Sequence, residues 1–489
     1  MSAAYLHGVE TVEVQKGARS IQTVKTAIIG LVGTAPIFEL AAAYQSINKP
    51  VLCLGDRDAV QNFGTAREGY TIPQALDAIL SKGAGTVVVI NVFDPSTHKT
   101  DVAAPGEAHT FPNSDTDLSI DLGHEGLSGV VVKNSDDTVT YQLTTDYTVD
   151  AVNGTITRVT TGAIAKNGAV KVTYSYADPS AVEASDIIGT VDESGNRTGL
   201  KALRDTFSLY GFNPKIIIAP GFSSTDSVVV EMEAIAEKLR AVALIDAPAS
   251  TTFSEAIEGR GPEGTINFEY AGGRLILLYP HVKVYDPVTD SIVLEPYSQH
   301  YAGLMADNDI QRGYHWSPSS KKISGIVGME LPLTAGINDS SSEVNALNAA
   351  GIVTIFNSFG TGYLAFGNRT AAYPTDTHPR TFIPVLRTAD VIHESIEYAM
   401  LQFIDWPIDQ AFIDSVIESV NAFLRTLIGR KAIHDGSCTY DPNDNPVTEL
   451  AAGHIVFGYD FMPPPPAERI TFKSFIDINM LKSLSGGNA

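Results

Sequence analysis

The stretch YTIPQALDAILSKGAGTVVVINVF, residues 70–93, contains the two patterns from which the fold can be predicted. Its first half has apolar residues at helical spacing and ends in Gly83, which predicts a helix over 70–83. Its second half, TVVVINVF (86–93), is a continuous apolar run. Continuous runs of this kind between helices are typical of parallel strands that are buried on both faces. The stretch therefore predicts an α/β fold.

The same alternation continues along much of the chain. Strands are predicted over 26–35, 51–55, 215–221, 242–248 and 274–286, and helices over 199–211, 223–241 and near 251–258. Two amphipathic helices follow over 389–405 and 408–432, before a hairpin over 449–462. Their apolar stripes are predicted to be core: Ile392, Ile396, Met400 and Phe403, then Phe412, Val416, Val420, Phe423 and Leu427. We predict a mixed α/β (α+β) fold with a central mixed sheet flanked by helices.

The alternation stops between residues 95 and 185. This region has no amphipathic helix and reads as strand–turn–strand units, two of them around Asn153-Gly154 and Asn167-Gly168. Asn-Gly is typical of the type I′ turn of a hairpin. Residues 94–185 contain 13 acidic against 5 basic residues, which favours a solvated surface. We predict an inserted all-β surface domain, because insertion at an exposed loop leaves the parent fold undisturbed.

Composition excludes several classes of protein. The 489 residues suggest more than one domain, and a net charge of −23 with a pI near 4.8 argues against contact with nucleic acid. The chain has 2 cysteines, Cys53 and Cys438, which we expect to be free thiols. The first residues do not form a signal peptide, and no apolar run reaches the length of a membrane span. We therefore expect a cytosolic chain without membrane insertion.

No segment of the sequence matches a complete catalytic or ligand-binding motif. There is no phosphate-binding loop, no nucleophile elbow and no second histidine after His393-Glu394 to complete a zinc motif. The segment DPNDN (441–445) begins like a calcium loop, but Pro446 stands where that loop needs glycine. We therefore predict no catalytic residues, cofactor or metal, and a protein that is not an enzyme.

Both ends of the chain have strand-like segments outside the predicted body. Four prolines, Pro463–Pro466, precede a segment with alternating apolar residues, and the N-terminal piece YLHGVETVEV (5–14) is rich in valine. A proline run is stiff and cannot enter a sheet interior. An unpaired strand is expected to add to the edge of a neighbouring sheet. The candidate inter-subunit residues are Val9, Val12, Val14, Ile470, Phe472, Ile476 and Ile478.

At these ends the sequence resembles the contractile tail sheath proteins of myophages and R-type pyocins. The resemblance rests on YLHGVETVEVQKGARSIQTVKTAIIGLVGTAP (5–36) and AAGHIVFGYDFMPPPPAERITFKSFI (451–476). The segment GYHWSPSSKKISGIVG (313–328) is similar to a third family motif, with Ser320 where asparagine is usual. The inserted β-domain also looks like a module that many such sheaths have.

The resemblance implies a structural protein of the virion tail that is assembled in the host cytoplasm. Subunits would form hexameric rings stacked around a tail tube, with terminal arms that augment sheets in neighbouring subunits. Contraction would drive the tube through the host envelope without nucleotide consumption. Besides the chain itself, the implied partners are the tube, baseplate and tail terminator proteins. Basic residues near the end of the last long helix would face the tube, and the candidates are Arg425, Arg430 and Lys431.

The predicted organisation has six parts: an N-terminal arm (1–25), α/β core segments (26–94 and 186–345), the insertion (95–185), a C-terminal core domain (346–462), and a proline stalk with a donated strand (463–489). Two alternatives remain open on the residues alone. One is another self-assembling tail or secretion-system component, and the other is an α/β enzyme.

Overall fold

The computed structural model describes residues 20–484 except positions 84, 263, 288, 337 and 359, so Val9, Val12 and Val14 lie outside the described residues. The strands are β1 (Ile29–Gly33), β2 (Val51–Cys53), β3 (Val87–Asn91), β4 (Lys99–Thr110), β5 (Ser119–Asp121), β6 (Ser128–Asn134), β7 (Tyr147–Asp150), β8 (Thr155–Arg158), β9 (Ala169–Ala177), β10 (Ile216–Ile218), β11 (Val242–Asp246), β12 (Leu275–Leu278), β13 (Val282–Asp286), β14 (Ser291–Glu295), β15 (Lys321–Lys322), β16 (Gly328–Met329), β17 (Ile352–Ser358), β18 (Gly362–Phe366), β19 (Gly436–Thr439) and β20 (Gly458–Phe461). The helices are α1 (Asp56–Phe63), α2 (Thr71–Leu80), α3 (Ala184–Ile188), α4 (Thr206–Tyr210), α5 (Asp226–Leu239), α6 (Phe253–Glu258), α7 (Tyr297–Gln311), α8 (Glu343–Ala349), α9 (Ile383–Met400), α10 (Gln410–Gly429) and α11 (Val447–Ala451).

A nine-stranded sheet forms the centre of the molecule, in the order β15-β18-β17-β12-β11-β10-β1-β3-β2. The six strands β17, β12, β11, β10, β1 and β3 are parallel to their neighbours in this order, whereas β2, β18 and β15 are antiparallel. The inner strands are buried on both faces because helices such as α2 and α5 cover them. The predicted mixed sheet flanked by helices is confirmed.

One predicted strand is wrong in its extent. The segment 274–286 forms two strands, β12 in the central sheet and β13 in a separate three-stranded sheet with β14 and β16. Pro280 lies between them and has no N–H to donate to a neighbouring strand. The ladder therefore ends at Leu278, and the chain crosses to the second sheet.

Residues 99–177 form two three-stranded sheets, β4-β9-β6 and β5-β8-β7. Eleven buried apolar residues between them make a cluster separate from the main core: Phe111, Ile120, Leu122, Leu127, Val132, Tyr147, Ile156, Ile164, Val170, Val172 and Tyr174. The two Asn-Gly turns differ from the prediction. Gly154 has a positive φ but Asn153 does not, and Asn167-Gly168 connects strands of different sheets instead of closing a hairpin.

Deletion of residues 99–177 is expected to leave the remaining chain folded. Lys99 and Ala177 are partners in the β4–β9 register, so the chain enters and leaves this region at one place. The deletion removes the ion pair of Arg67 with Glu125, the hydrogen bond of Thr100 to Asp178 and the packing of Ala177 against the main core. Circular dichroism and size-exclusion chromatography of a chain joined by a short glycine linker measure the outcome. Residues 95–185 expressed alone should also fold, and an insoluble remainder would contradict the prediction.

The C-terminal helices differ from the sequence prediction at both ends, because α9 ends at Met400 instead of 405 and α10 spans Gln410–Gly429 instead of 408–432. Helix α9 begins at Ile383, six residues before the predicted start, and has Pro384 in its first turn, where a missing N–H costs nothing. The predicted stripes are core: Phe412, Val416, Val420, Phe423 and Leu427 are buried, as are Ile392, Ile396 and Phe403, while Met400 is partly buried. The predicted hairpin over 449–462 is wrong, because β20 pairs with β19 and residues 447–451 are helical.

Candidate assembly surfaces

The C-terminal arm is exposed on the surface wherever its side chains are described. Residues 470–481 are all exposed, with Phe472 at 89% and Ile476 at 100% of their full accessibility. The predicted strand is absent from this single chain, since residues up to Asp477 have no regular structure and Ile478–Leu484 form a 3-10 helix. Phe475, on the other parity, is exposed at 86%. A strand needs a partner, and no described segment pairs with this arm.

The proline segment is docked on the body, whereas the sequence predicts a stalk outside the body. Pro463 is buried, and Pro464 and Pro466 are half-buried. Immediately after them, Arg369 donates from Nε and Nη2 to the two carboxylate oxygens of Glu468, at 2.9 and 2.8 Å. A bidentate pair of this kind fixes orientation as well as distance. Residues 463–468, which we call the root of the arm, are therefore fixed on the body.

Aromatic side chains hold Arg369 in position for this contact. Its guanidinium lies 3.5 Å from the ring centre of Phe382 and 4.5 Å from that of Tyr373. Stacking on aromatic faces suits the planar, weakly hydrated guanidinium of arginine. Arg369 also donates to Thr381 Oγ1 at 2.8 Å. The Arg369 side chain is thus held in the orientation in which it binds Glu468.

We expect Glu468→Gln to leave the fold intact and to slow polymerisation severalfold. The change removes one charge from a partly exposed ion pair. Exposed ion pairs typically contribute about 0.2–1 kcal/mol to stability. Residues 463–468 are then less fixed, and ordering them costs conformational entropy each time an arm binds a neighbouring subunit. Light scattering measures the polymerisation rate. Glu449→Gln, which alters an exposed carboxylate paired with His454, is the matched control, and equal rates in both variants would refute a role for the root.

Residues 20–26 also depart from the predicted organisation. Ile21 is buried in the cluster formed by α9 and α10, and Val24 N–H donates to Ser395 Oγ at 3.2 Å. Thr26 accepts from Arg387 at 3.3 Å through its carbonyl. The segment 20–25, which we assigned to the N-terminal arm, is therefore part of the C-terminal core.

The sheet β19–β20 has one open edge. At the outer edge of β19, the Asn421 side chain accepts from Cys438 N–H at 2.8 Å and donates to its carbonyl at 3.2 Å. Strand β20 pairs only with β19 in the described part of the chain, and Gly458, Tyr459 and Asp460 are exposed. A two-stranded sheet is marginal by itself, so a third strand would stabilise it.

Packing holds this small sheet against α9. His393 contacts Tyr459 and Phe461 edge to face, with ring centres 5.9 and 5.6 Å apart. Burial lowers the pKa of His393, so the ring is neutral near pH 7. Cys438 is buried and its thiol is free, as is that of Cys53. The open edge of β20 is thus supported from behind by neutral, closely packed side chains.

The three basic candidates do not form one surface with a single orientation. Arg425 pairs with Glu418 on the same helix, whereas Arg430 donates to Thr23 Oγ1 at 3.4 Å. Lys431 is exposed just after α10, with a positive φ of 60°. The structure brings them to one end of α10 but turns Arg430 towards the N-terminal segment.

The described part of residues 20–484 contains neither a candidate metal site nor a membrane-spanning helix. No group of three or more histidine, cysteine, aspartate or glutamate side chains in that range is arranged to hold a metal ion. Asp441 caps a 3-10 turn by accepting from Asn443 N–H at 2.8 Å. None of the helices in this range has both the length and the apolar character needed to cross a membrane.

Comparison with known proteins identifies the family. A model described as the phage tail sheath protein central domain matches residues 195–371, and one described as the phage tail sheath C-terminal domain matches residues 375–477. The chain is also 50% identical over 489 residues to the tail sheath protein of Burkholderia phage BcepMu, with 100% of both sequences covered. The chain belongs to the phage tail sheath protein family. It is therefore a structural protein of a contractile sheath.

More distant relatives of this tail sheath protein agree. It is 26% identical over 480 residues to the tail sheath protein of Escherichia phage P2, with 98% of each sequence covered. Its fold matches the helical sheath of the anti-feeding prophage in the contracted state, with a TM-score of 0.59 at 16% identity, over 97% of this chain and 100% of the other. A model described as a protein of unknown function matches residues 96–186, the region of β4–β9.

Proposed function

We propose that this sheath protein polymerises through its arms into hexameric rings stacked around a tail tube. The observation that carries the proposal is the run of exposed apolar residues after the fixed root at Glu468. Burial of a large apolar side chain contributes roughly 1.5–3 kcal/mol, so an arm in water forgoes several such contributions. Exposed apolar surface of this extent typically marks an interaction site.

The proposed acceptor is the open edge of β20 in a neighbouring copy. The two edges of the central sheet fit less well. The edge of β2 is covered by Tyr210, whose hydroxyl donates to Pro50 O at 2.8 Å. Strand β15 is only Lys321 and Lys322 long, and lysines at an edge discourage pairing. Strand β20 is uncharged except for Asp460, and the arm offers Lys473 to it.

Within the polymer, Arg425, Arg430 and Lys431 are the proposed contacts to the tube, and Val9, Val12 and Val14 the proposed second inter-subunit strand. Arg425 and Lys431 are exposed at the end of α10, which supports the first proposal. Contraction would move the rings without separating them, because arms keep neighbours joined. Baseplate and terminator proteins would bind the two ends of the cylinder. The chain would act as a structural polymer, without a reaction of its own, in the virion tail after assembly in the host cytoplasm.

Negative-stain microscopy of the purified protein tests this proposal. Hollow cylinders with a ring repeat are the expected particles, either from the protein alone or after addition of its tube protein. Dispersed globular particles under both conditions would overturn the proposal. Cylinders that form but do not bind tubes would leave self-assembly supported and remove the tube contact.

A further inference from the structure

A cavity of about 380 Å³ lies beside the edge of the central sheet. Its walls come from three separate parts of the chain: Lys82 after α2, the C-terminal half of α7, and the residues of β15 with Ser324. A volume of this size is in the range of sites for small ligands. Its lining differs from most such sites because it is mainly polar and basic.

Four cationic side chains face this cavity in a protein of net charge −23: Lys82, Arg312, Lys321 and Lys322. None of them forms an ion pair with a carboxylate among the described residues. Lys82 contacts Ala78 O at 2.9 Å and His300 Nδ1 at 3.1 Å, and Arg312 lies 5.6 Å from the ring centre of Trp316. Unpaired positive charge is concentrated here although carboxylates are abundant elsewhere on the chain.

The acidic groups near the cavity do not neutralise it. Asp307 is the one carboxylate in its lining, and Gln311 Nε2 donates to it at 3.5 Å. Glu295 is outside the lining, and His300 lies between it and Lys82. The Nε2 atom of His300 is 2.6 Å from the Glu295 carboxylate. Burial lowers the pKa of Lys82 to about 8, with Glu295 and Asp77 acting in the opposite direction. Like charges held together in this way gain most from a bound anion.

The side-chain oxygen of Asn308, in the wall of the cavity, favours anions that can also donate a hydrogen bond. Asn308 is 5% exposed, its amide nitrogen donates to Trp316 O at 3.0 Å, and its Oδ1 has no hydrogen-bond partner in the described structure. A buried acceptor without a partner costs roughly 1–3 kcal/mol. An ionised carboxylate cannot satisfy this oxygen, because it only accepts hydrogen bonds. A hydrogen phosphate can donate one while its other oxygens meet the cations.

We propose that this cavity binds a small phosphate compound that carries a hydroxyl or a protonated oxygen. The four cations hold the anionic oxygens, and Asn308 Oδ1 accepts the hydroxyl hydrogen. The proposal does not depend on the assembly mode proposed above. No motif in the sequence predicts the site, since its residues are spread over 82–324 and contain no phosphate-binding loop.

Titration of the full-length protein with inorganic phosphate and pyrophosphate at pH 7 and constant ionic strength tests the proposal. We expect saturable binding by calorimetry, with a rise in Tm of about 2 °C or more at saturation. Lys321→Gln/Lys322→Gln should weaken binding by tenfold or more. Lys238→Gln, an exposed lysine on α5, is the matched control and should bind as the unaltered chain does. Should the double variant fail to fold, Arg312→Gln provides the same comparison.

Sulfate separates the proposed recognition from two simpler effects. It has a double negative charge but no proton to donate at neutral pH, so we expect binding at least tenfold weaker than that of phosphate. Equal effects of sulfate and phosphate would overturn the role of Asn308 and indicate charge or general salt exclusion alone. Absence of binding by every anion would overturn the site, and would leave Lys321 and Lys322 as residues that only block strand pairing.

Discussion

A chain that ends at Arg469 is expected to fold as the full-length protein does and to lose polymerisation. The cut keeps the docked prolines and the Arg369–Glu468 contact, and within the described side chains it removes only exposed ones, those of residues 470–481. The fold should survive for that reason. Assembly should fail because every subunit loses the strand that it donates and every acceptor edge stays unpaired.

Sedimentation velocity and circular dichroism measure the two outcomes separately. A chain that ends at Leu484 is the control for shortening and should still polymerise. The point variant Ile476→Lys keeps the backbone but places a charge where an apolar side chain is to be buried, which costs several kcal/mol per contact. Thr471→Lys, which adds the same charge on the other parity of the arm, should have little effect. Unfolding of the shortened chain would assign the arm to the body's own core, and polymerisation of it would falsify the arm proposal.

The second large effect is expected for Arg387→Met. Arg387 on α9 donates to both carboxylate oxygens of Asp309 on α7, at 2.7 and 2.5 Å, and the two side chains are 6% and 0% exposed. Removing the arginine leaves a buried carboxylate without its partner. Loss of one member of a buried pair typically costs about 3–5 kcal/mol. We expect a marked fall in the urea midpoint and faster amide exchange in α9.

The double variant Arg387→Met/Asp309→Leu should recover most of the lost stability, since replacing both members of a buried pair with apolar groups is often neutral. Arg425→Met is the exposed control, because Arg425 and Glu418 are 59% and 68% exposed, and its stability should change by less than about 0.5 kcal/mol. A double variant as unstable as the single one would show that packing, instead of the unpaired charge, explains the loss.

Charged contacts join helix α9 to the central sheet, in addition to the packing of Ile383 and Leu386 in the main core. Asp390 accepts from Arg274, the residue before β12, at 2.7 and 3.0 Å, and Glu394 pairs with Lys215 at 2.5 Å. Burial lowers the pKa of Lys215 while Glu394 opposes that shift. Together with Arg387, these residues lie on one side of α9. Polar contacts of this kind depend on geometry more than apolar packing does, so they fix one relative placement of the two parts.

Much of the fold could be predicted because its signals are local. The apolar run 86–93 contains β3 and is buried from Val87 onwards, and the stripe from Phe412 to Leu427 lies within α10 and is buried as predicted. Predictions failed where distant residues decide the outcome. Strand β20 pairs with β19 across the intervening α11, and the sequence offers no local sign of that partner.

The candidate surfaces show the same division. The exposed arm could be predicted from the prolines and the alternation that follows them. Its docked root could not, because Glu468 binds Arg369, which lies 99 positions earlier in the chain. The basic cavity is similar, since Lys82 and Lys322 become neighbours only after α2 packs beside α7. Contacts between residues far apart in sequence leave no periodic pattern.

The docked root at Pro463–Glu468 has a consequence for the polymer as a whole. An arm that leaves each subunit in one direction can reach a neighbour on one side only, so every link in a row has the same sense. A row of such links has distinct leading and trailing ends, one with an unused arm and the other with an unused edge. Growth can then start at a single end and stop where a different protein covers the last free edge. We expect the polarity of the whole cylinder to follow from the docked root of each subunit.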